Sequence, residues 1–246
     1  VSPTIFADEP SQELPDVQAG RLPERYRLRM QDTLLERLTP LLVDGVRILD
    51  VGAGRSPTVA PADRPPGCIY VGLDLSAEEL NAAPADAYDE TIVHDISVPL
   101  ERAADFDVIL SWQVLEHVPD LERAFHHLGA LLRPGGTLLV QLSGSFAAFS
   151  LAARVMPHRL RVLAMARFLG HPEELKFPTR YDRCYDSAIR RMLTEFASAE
   201  VVPFYRGAPY FGMSRPLQRA YLRYENVVAR HDRRNLATHY LVCATR

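Results

Sequence analysis

The sequence predicts an α/β domain built on a mostly parallel sheet with helices on both faces. Three observations carry this. Short apolar runs alternate with segments of helical period, the pattern of strands buried on both sides. The first of these runs passes straight into Asp50-Val51-Gly52-Ala53-Gly54, a glycine turn that lets backbone approach a ligand closely. The next run ends in Asp74, twenty positions after Gly54, the distance at which a nucleotide-binding fold sets a carboxylate on ribose hydroxyls.

The elements follow in order. Residues 1–22 mix Pro, Asp, Glu and Gln without a period and are expected to form a tail or surface strap. Pro23 to Leu42 is expected to be a helix with Leu28, Leu34, Leu35, Leu38, Leu41 and Leu42 on one face and Gly45 just past its end. Such a leading helix often covers a ligand, which makes Tyr26 and Arg29 candidate contacts. After the strand Val46–Val51 and its glycine turn, Ser56 as N-cap and Pro57 at the first helical position predict a helix. Asp63 to Gly67 is a turn, Ile69 to Asp74 a strand, and Ala77 to Ala83 a short helix. Thr91 to His94 is a third strand ending at Asp95-Ile96, and Phe106 to Ser111 is a fourth. Pro119-Asp120 opens a helix whose apolar face is Leu121, Ala124, Phe125, Leu128, Leu131 and Leu132. Pro134-Gly135-Gly136 ends it, and Gly136 to Leu142 is a fifth strand.

From Ser143 to Tyr185 the pattern changes to apolar helical sequence studded with Arg154, Arg159, Arg161 and Arg167, then to the aromatic, basic run around Arg180, Tyr181, Arg183 and Tyr185. This insertion is expected to cap the site and select the acceptor. Asp186 is expected to cap a helix burying Ile189, Met192, Leu193 and Phe196, and Ala199 to Arg206 to be a strand. A second insertion at about 207–236, with Tyr210, Phe211 and Met213, precedes an alternating last strand, His239 to Thr245. Residues 23–246 thus read as a single domain with two insertions.

The chain has 246 residues, 47% of them hydrophobic, and a net charge of −3. That charge offers nucleic acid no general attraction. Cys68, Cys184 and Cys243 are odd in number and far apart, which excludes a disulfide framework or a CxxC zinc site and points to a reducing cytoplasm. His126 and His127 are adjacent on a helix and point to different sides, so no metal site is expected. No signal peptide is read at the start, and no apolar run reaches the ~20 residues of a spanning helix.

The ordered set ILDVGAG, GLDLS, VHDIS, FDVILSWQVLEHVPD and LLRPGGTLLVQL resembles the class I S-adenosylmethionine-dependent methyltransferases. The resemblance covers Pro23 to Leu142 well and Asp186 to Arg246 loosely. It implies a Rossmann-like seven-stranded sheet in the order 3-2-1-4-5-7-6, the last strand antiparallel, with S-adenosylmethionine across the carboxyl ends of the first, second and fourth strands. It further implies that Asp50, Gly52, Ala53 and Gly54 surround the amino acid part of the cofactor, with Asp74 on the ribose and Leu75 beside the adenine. Asp95 and Ile96 would hold the adenine, by its amine and its ring face. Ser111, Trp112 and Gln113 would flank the methionine moiety. A third glycine common in the loop is replaced by Ser56.

Two other classes share the loop. A nicotinamide dehydrogenase would put the third glycine of its fingerprint at position 57, which is Pro57. An inactive methyltransferase-like binding subunit has no physical need for both Asp74 and Asp95. The expected activity is therefore methyl transfer to a small-molecule acceptor, with S-adenosylhomocysteine as product. The acceptor atom is taken as an oxygen of a sugar, glycan or secondary metabolite; nitrogen or carbon acceptors and a lipid-linked acceptor are the alternatives. His117, in LEHVPD, is the candidate base that removes the acceptor proton, and a loop-shaping histidine is the competing role. Arg180, Tyr181, Tyr185 and Tyr210 are candidate acceptor contacts suited to a polar or anionic molecule. No nucleic-acid partner is expected; contact of the Arg-studded cap with a membrane surface and a monomeric or homodimeric state both stay open.

Overall fold

The computed structural model describes residues 22–146, 180–212 and 214–246. Residues 1–21, most of the first insertion (147–179, with Arg154, Arg159, Arg161 and Arg167) and Met213 lie outside the described residues. Seven strands form one sheet: β1 (Arg47–Val51), β2 (Ile69–Asp74), β3 (Glu90–Val93), β4 (Phe106–Trp112), β5 (Leu132–Ser143), β6 (Ser198–Phe204) and β7 (His239–Thr245). Their order is β3-β2-β1-β4-β5-β7-β6. The pairs from β3 across to β5 are parallel, while β7 runs antiparallel to both β5 and β6. The carboxyl ends of β1, β2, β4 and β5 therefore share one edge with the amino end of β7.

Strand residues of alternate parity feed two separate cores. Leu49, Val51, Ile109, Leu138, Val140 and Leu142 pack under α3 (Leu121–Leu131) and α4 (Asp186–Met192). Ile48, Tyr70, Val108, Leu110, Leu139 and Leu241 pack under Leu34 and Leu38 of α1 (Met30–Leu38). The helix α3 begins where its sequence predicts, because the Asp120 carboxylate accepts the Arg123 N–H at 3.1 Å. The short α2 (Ala77–Asn81) is capped in the same way by Ser76, whose hydroxyl accepts the Glu79 N–H at 3.2 Å.

Four expectations are corrected. The leading helix is not continuous: a 3-10 turn at Glu24–Tyr26 breaks off before α1. Arg206 explains the break, since its guanidinium takes the Tyr26 and Leu28 carbonyls that a helix would have used. Leu28 is exposed as a result. Second, no helix opens at Pro57; a single 3-10 turn at Pro61–Asp63 is all that forms before β2. Pro57, Pro61, Pro65 and Pro66 remove backbone donors from that stretch. Third, β5 starts at Leu132 rather than Gly136, because Leu132 already pairs with Phe106 and Gly135 donates to the Arg246 carbonyl at 2.9 Å. Fourth, Tyr185 is the N-cap of α4, and Asp186 sits inside the first turn, where Arg190 and Arg234 hold its carboxylate at 2.9 Å each.

The second insertion forms a 3-10 turn (Ala208–Phe211) and a long helix, α5 (Arg215–Arg230). Its buried Glu225 accepts from Arg25 at 2.7 Å, from the Tyr26 hydroxyl, and from the Gly207 N–H at 2.6 Å. This carboxylate pins the N-terminal turn to the insertion. Among the described residues no helix is long and apolar enough to cross a membrane.

Candidate active site

The glycine turn is fixed by its neighbours. Gly52 (φ +75°) and Gly54 (φ +52°) take left-handed backbone that other residues avoid. The Leu73 carbonyl accepts the N–H groups of Gly52 at 2.7 Å and Ala53 at 3.2 Å, bending the chain over the end of β2. A Cβ on Gly52 would come within 2.1 Å of a Val114 methyl, so the segment after β4 rests directly on this turn. On the other side, the Tyr88 hydroxyl donates to the carbonyls of Ala53 (2.9 Å) and Gly54 (3.1 Å). Tyr88 fits there because Gly72 has no side chain; its ring lies 2.7 Å from where a Cβ would stand.

Asp74 closes the turn from β2. One carboxylate oxygen accepts the Gly54 N–H at 3.0 Å and the other the Ser76 N–H at 2.8 Å. Each oxygen keeps a second lone pair, so two acceptor positions remain for ligand hydroxyls. Leu75, next in the chain, is 59% exposed, a free apolar side chain beside that carboxylate. Asp95 is also exposed, with one oxygen on the Ser97 N–H at 2.8 Å.

Three expected cofactor contacts are placed otherwise. Asp50 is buried and its carboxylate is spent on the Thr58 N–H (2.7 Å), the Thr58 hydroxyl (2.8 Å) and the Tyr70 hydroxyl (2.7 Å). Burial pushes its carboxyl above the usual range, and those three donors pull it back. Asp50 thus braces the loop. Ile96 is a core side chain in contact with the α3 face, its carbonyl taken by His127 at 2.9 Å, so it offers no open face to a ring. Tyr26 is buried with its hydroxyl on Glu225 while accepting the Ala208 N–H at 3.0 Å, and it serves as a strut.

After β4 the backbone turns sharply. Gln113 has φ +56°, a strained conformation for a side chain, and donates its N–H to the Gln141 carbonyl at 3.0 Å. A 3-10 turn at Leu115–His117 follows. Glu116 is buried there: one carboxylate oxygen accepts the Ser143 N–H at 3.2 Å, and its backbone carbonyl accepts both Arg180 and Tyr181 N–H groups at 2.9 Å. Burial raises the Glu116 carboxyl, with the neighbouring His117 opposing.

Of eight buried side-chain polar atoms without a hydrogen-bond partner among the described residues, four lie at this end of β4 and β5: Ser111 Oγ, Glu116 Oε2, His117 Nδ1 and Gln141 Oε1. Buried polar groups are nearly always paired. Trp112 is half-buried on the sheet face opposite Ser111, against the α1 core, and its partner Gln141 takes that same face, its amide 3.8 Å from Met30 Sδ.

Of the expected acceptor residues, Arg180 and Tyr181 are drawn to this edge by Glu116, and Tyr181 (φ +53°) accepts the Ser145 hydroxyl at 3.0 Å. Tyr185 stacks on Phe146 at 5.1 Å between centroids. Tyr210 stacks at 6.4 Å on His239, which pairs with Ser143 at the same edge. Arg183 turns away to ion pairs with Asp120, Glu122 and Asp182. Sequence reasoning missed Tyr88, Thr58, Tyr70 and Gln141. Only Gln141 left a signal, an amide inside the apolar strand LLVQL. Among the described residues no group of His, Cys, Asp or Glu is placed to hold a metal ion.

A parallel sheet with one reversed strand, β7, a glycine turn over β1 and a free-sided carboxylate at the end of β2 define the S-adenosylmethionine-dependent methyltransferase class. The chain belongs to a family of methyltransferase domains, whose profile matches residues 22–182. It is 33% identical over 143 residues to a ubiquinone biosynthesis O-methyltransferase of Mesorhizobium japonicum, covering 54% of this chain and 57% of that protein. A Coxiella burnetii protein of the same name is 32% identical over 103 residues, 40% of this chain and 44% of its own length. The chain thus spans about half the length of these curated relatives. Among solved structures, Haemonchus contortus phosphoethanolamine N-methyltransferase 2 in complex with S-adenosylmethionine superposes with a TM-score of 0.56 at 16% identity, over 88% of this chain and 52% of that one. A geranyl diphosphate methyltransferase gives 0.55 at 18% identity, over 90% and 78%. At these identities the likeness is one of fold.

Proposed function

We propose that the protein transfers a methyl group from S-adenosylmethionine to an oxygen of a small-molecule acceptor, a sugar, glycan or secondary metabolite. The observation that carries this is the group of unpartnered polar atoms at the ends of β4 and β5, near the glycine turn that Asp74 closes. The residues present fit the cofactor. A Cβ on Gly54 would meet nothing nearer than Asp74 at 3.8 Å, leaving backbone open to a ligand, and Leu75 supplies an uncovered apolar surface. Asp74 holds the ribose through its two spare lone pairs, Asp95 the adenine amine, and Gly52 to Gly54 the amino acid part.

Bound there, the cofactor supplies an electrophilic methyl on a sulfonium that is already an activated leaving group. The chain's own work is to align the acceptor, exclude water and take a proton. His117 Nδ1 is the atom that receives the acceptor hydroxyl's proton. Ser111 Oγ and Gln141 Oε1 orient polar groups of the bound molecules. The curated relatives' common name as O-methyltransferases supports oxygen as the acceptor atom. Residues 23–246 act as one domain with insertions at about 143–185 and 207–236. Cys68, Cys184 and Cys243 all being thiols suits a cytoplasmic setting.

The test is transfer of radiolabelled methyl from S-adenosylmethionine to a panel of phenols, sugars and amines, with the product identified by mass. An O-methyl ether and a His117→Ala variant that loses turnover while keeping S-adenosylhomocysteine affinity support the reading. An N-methyl product, or undiminished turnover in that variant, overturns the acceptor atom or the base respectively.

A further inference from the structure

The outward face of α5 carries a pattern that methyl transfer does not use. Leu217, Ala220, Tyr224 and Val227 are all exposed, Leu217 at 47%, Tyr224 at 42% and Val227 at 58%. Their spacings of three, four and three place them in one stripe along the helix. Beside it runs a second row, Arg215, Arg219, Arg223 and Arg230, also exposed. No carboxylate of the described residues forms an ion pair with any of the four. Glu225, the helix's sole acid, points inward to Arg25, Tyr26 and Gly207. A chain of net charge −3 thus presents, on one helix, an apolar ridge flanked by four unopposed guanidinium groups.

We propose that this face docks the protein on an anionic lipid surface. An apolar ridge one side chain wide beside a basic row suits a helix lying in the plane of a bilayer interface, side chains in the acyl boundary and guanidinium groups on phosphates. A second copy of the chain fits poorly, because a two-fold pairing of α5 sets the arginine row against itself. The helix is anchored to the body through Tyr221, Glu225 and Val228, so docking it fixes the orientation of the whole domain. The turn that leads into α5 stacks Tyr210 on His239 at the site edge of the sheet, so that edge lies near the bound surface. The proposal stands without the methyl-transfer reading.

The experiment is sedimentation of the full chain with unilamellar vesicles of phosphatidylcholine alone or with phosphatidylglycerol added. Binding to the phosphatidylglycerol vesicles, absent with phosphatidylcholine alone and weakened by salt, is expected. Each arginine near an anionic surface contributes on the order of fivefold, so Arg219→Gln with Arg223→Gln lowers vesicle affinity about 25-fold. Leu217→Ser and Val227→Ser together remove binding while leaving the protein's thermal midpoint close to that of wild type. No binding to either vesicle, equal binding to both, or binding that survives both sets of substitutions overturns the proposal. So does a concentration-dependent dimer that Val227→Ser abolishes, which assigns the ridge to a second copy.

Discussion

Gly52→Ala tests whether the glycine turn and the segment after β4 form one packed unit. The alanine would keep φ near +75°, and left-handed backbone costs a non-glycine residue about 1–2 kcal/mol. Its Cβ would also stand 2.1 and 2.7 Å from the two Val114 methyl carbons, and overpacking of this kind costs about 1–3 kcal/mol. The sum is about 2–5 kcal/mol, which as lost cofactor affinity is at least ~30-fold. Val114→Ala in the same chain removes both methyl carbons but leaves its Cβ at 2.9 Å, still tight. The double variant should therefore regain about 1–2 kcal/mol, roughly 5–30-fold, and not the backbone cost. Calorimetric titration with S-adenosylhomocysteine and urea unfolding of the four proteins in this cycle give both numbers. Wild-type affinity and stability in Gly52→Ala, or no recovery in the double variant, would refute the coupling of the two segments.

Two further outcomes follow from the same geometry. Tyr88→Phe removes the hydroxyl that holds the Ala53 and Gly54 carbonyls, which should lower stability by about 1 kcal/mol and weaken S-adenosylhomocysteine several-fold by calorimetry. His239 is buried and its imidazole is pushed down to about 4, by desolvation first and the Arg206 charge second. The unfolded chain binds that proton from about pH 6.5 downward and the folded one does not, so stability present above pH 6.5 is lost as pH falls towards 4, by about 3 kcal/mol. The raised carboxyls of Asp50 and Glu116 work in the opposite direction. The comparison is therefore between wild type and His239→Gln, whose unfolding free energy should fall less over that range; parallel pH profiles would contradict the buried neutral imidazole.

The sheet was legible because strand burial writes itself into composition: Ile69–Asp74 and His239–Thr245 have the bounds their apolar patterns predict. The Asp120 cap was legible because capping is a local contact. What the sequence hid depends on contacts between distant residues. Nothing near Pro57 says that Thr58 will bind Asp50 instead of starting a helix, and Asp50 looked like a ligand contact because its partner Tyr70 lies on another strand. The break before α1 needs Arg206, some 180 residues away in the chain. Arg183 belonged to the basic run expected to cap the site until Asp120 and Glu122, at the start of α3, claimed it. The meeting of Asp74 with the glycine turn was readable from spacing, while Tyr88 was not, since its position is set by the missing side chain of Gly72.

The central claim is that Asp74 and the glycine turn hold the nucleoside of S-adenosylmethionine. Calorimetric titration of the full chain with S-adenosylhomocysteine, repeated with NAD and with the Asp74→Ala variant, tests it most directly. The account predicts tight S-adenosylhomocysteine binding, no heat with NAD, and a loss of at least ~100-fold in the variant, from two hydrogen bonds to a charged acceptor at about 1.5–3 kcal/mol each. Binding of NAD in place of S-adenosylhomocysteine, or an Asp74→Ala variant with wild-type affinity, would contradict it.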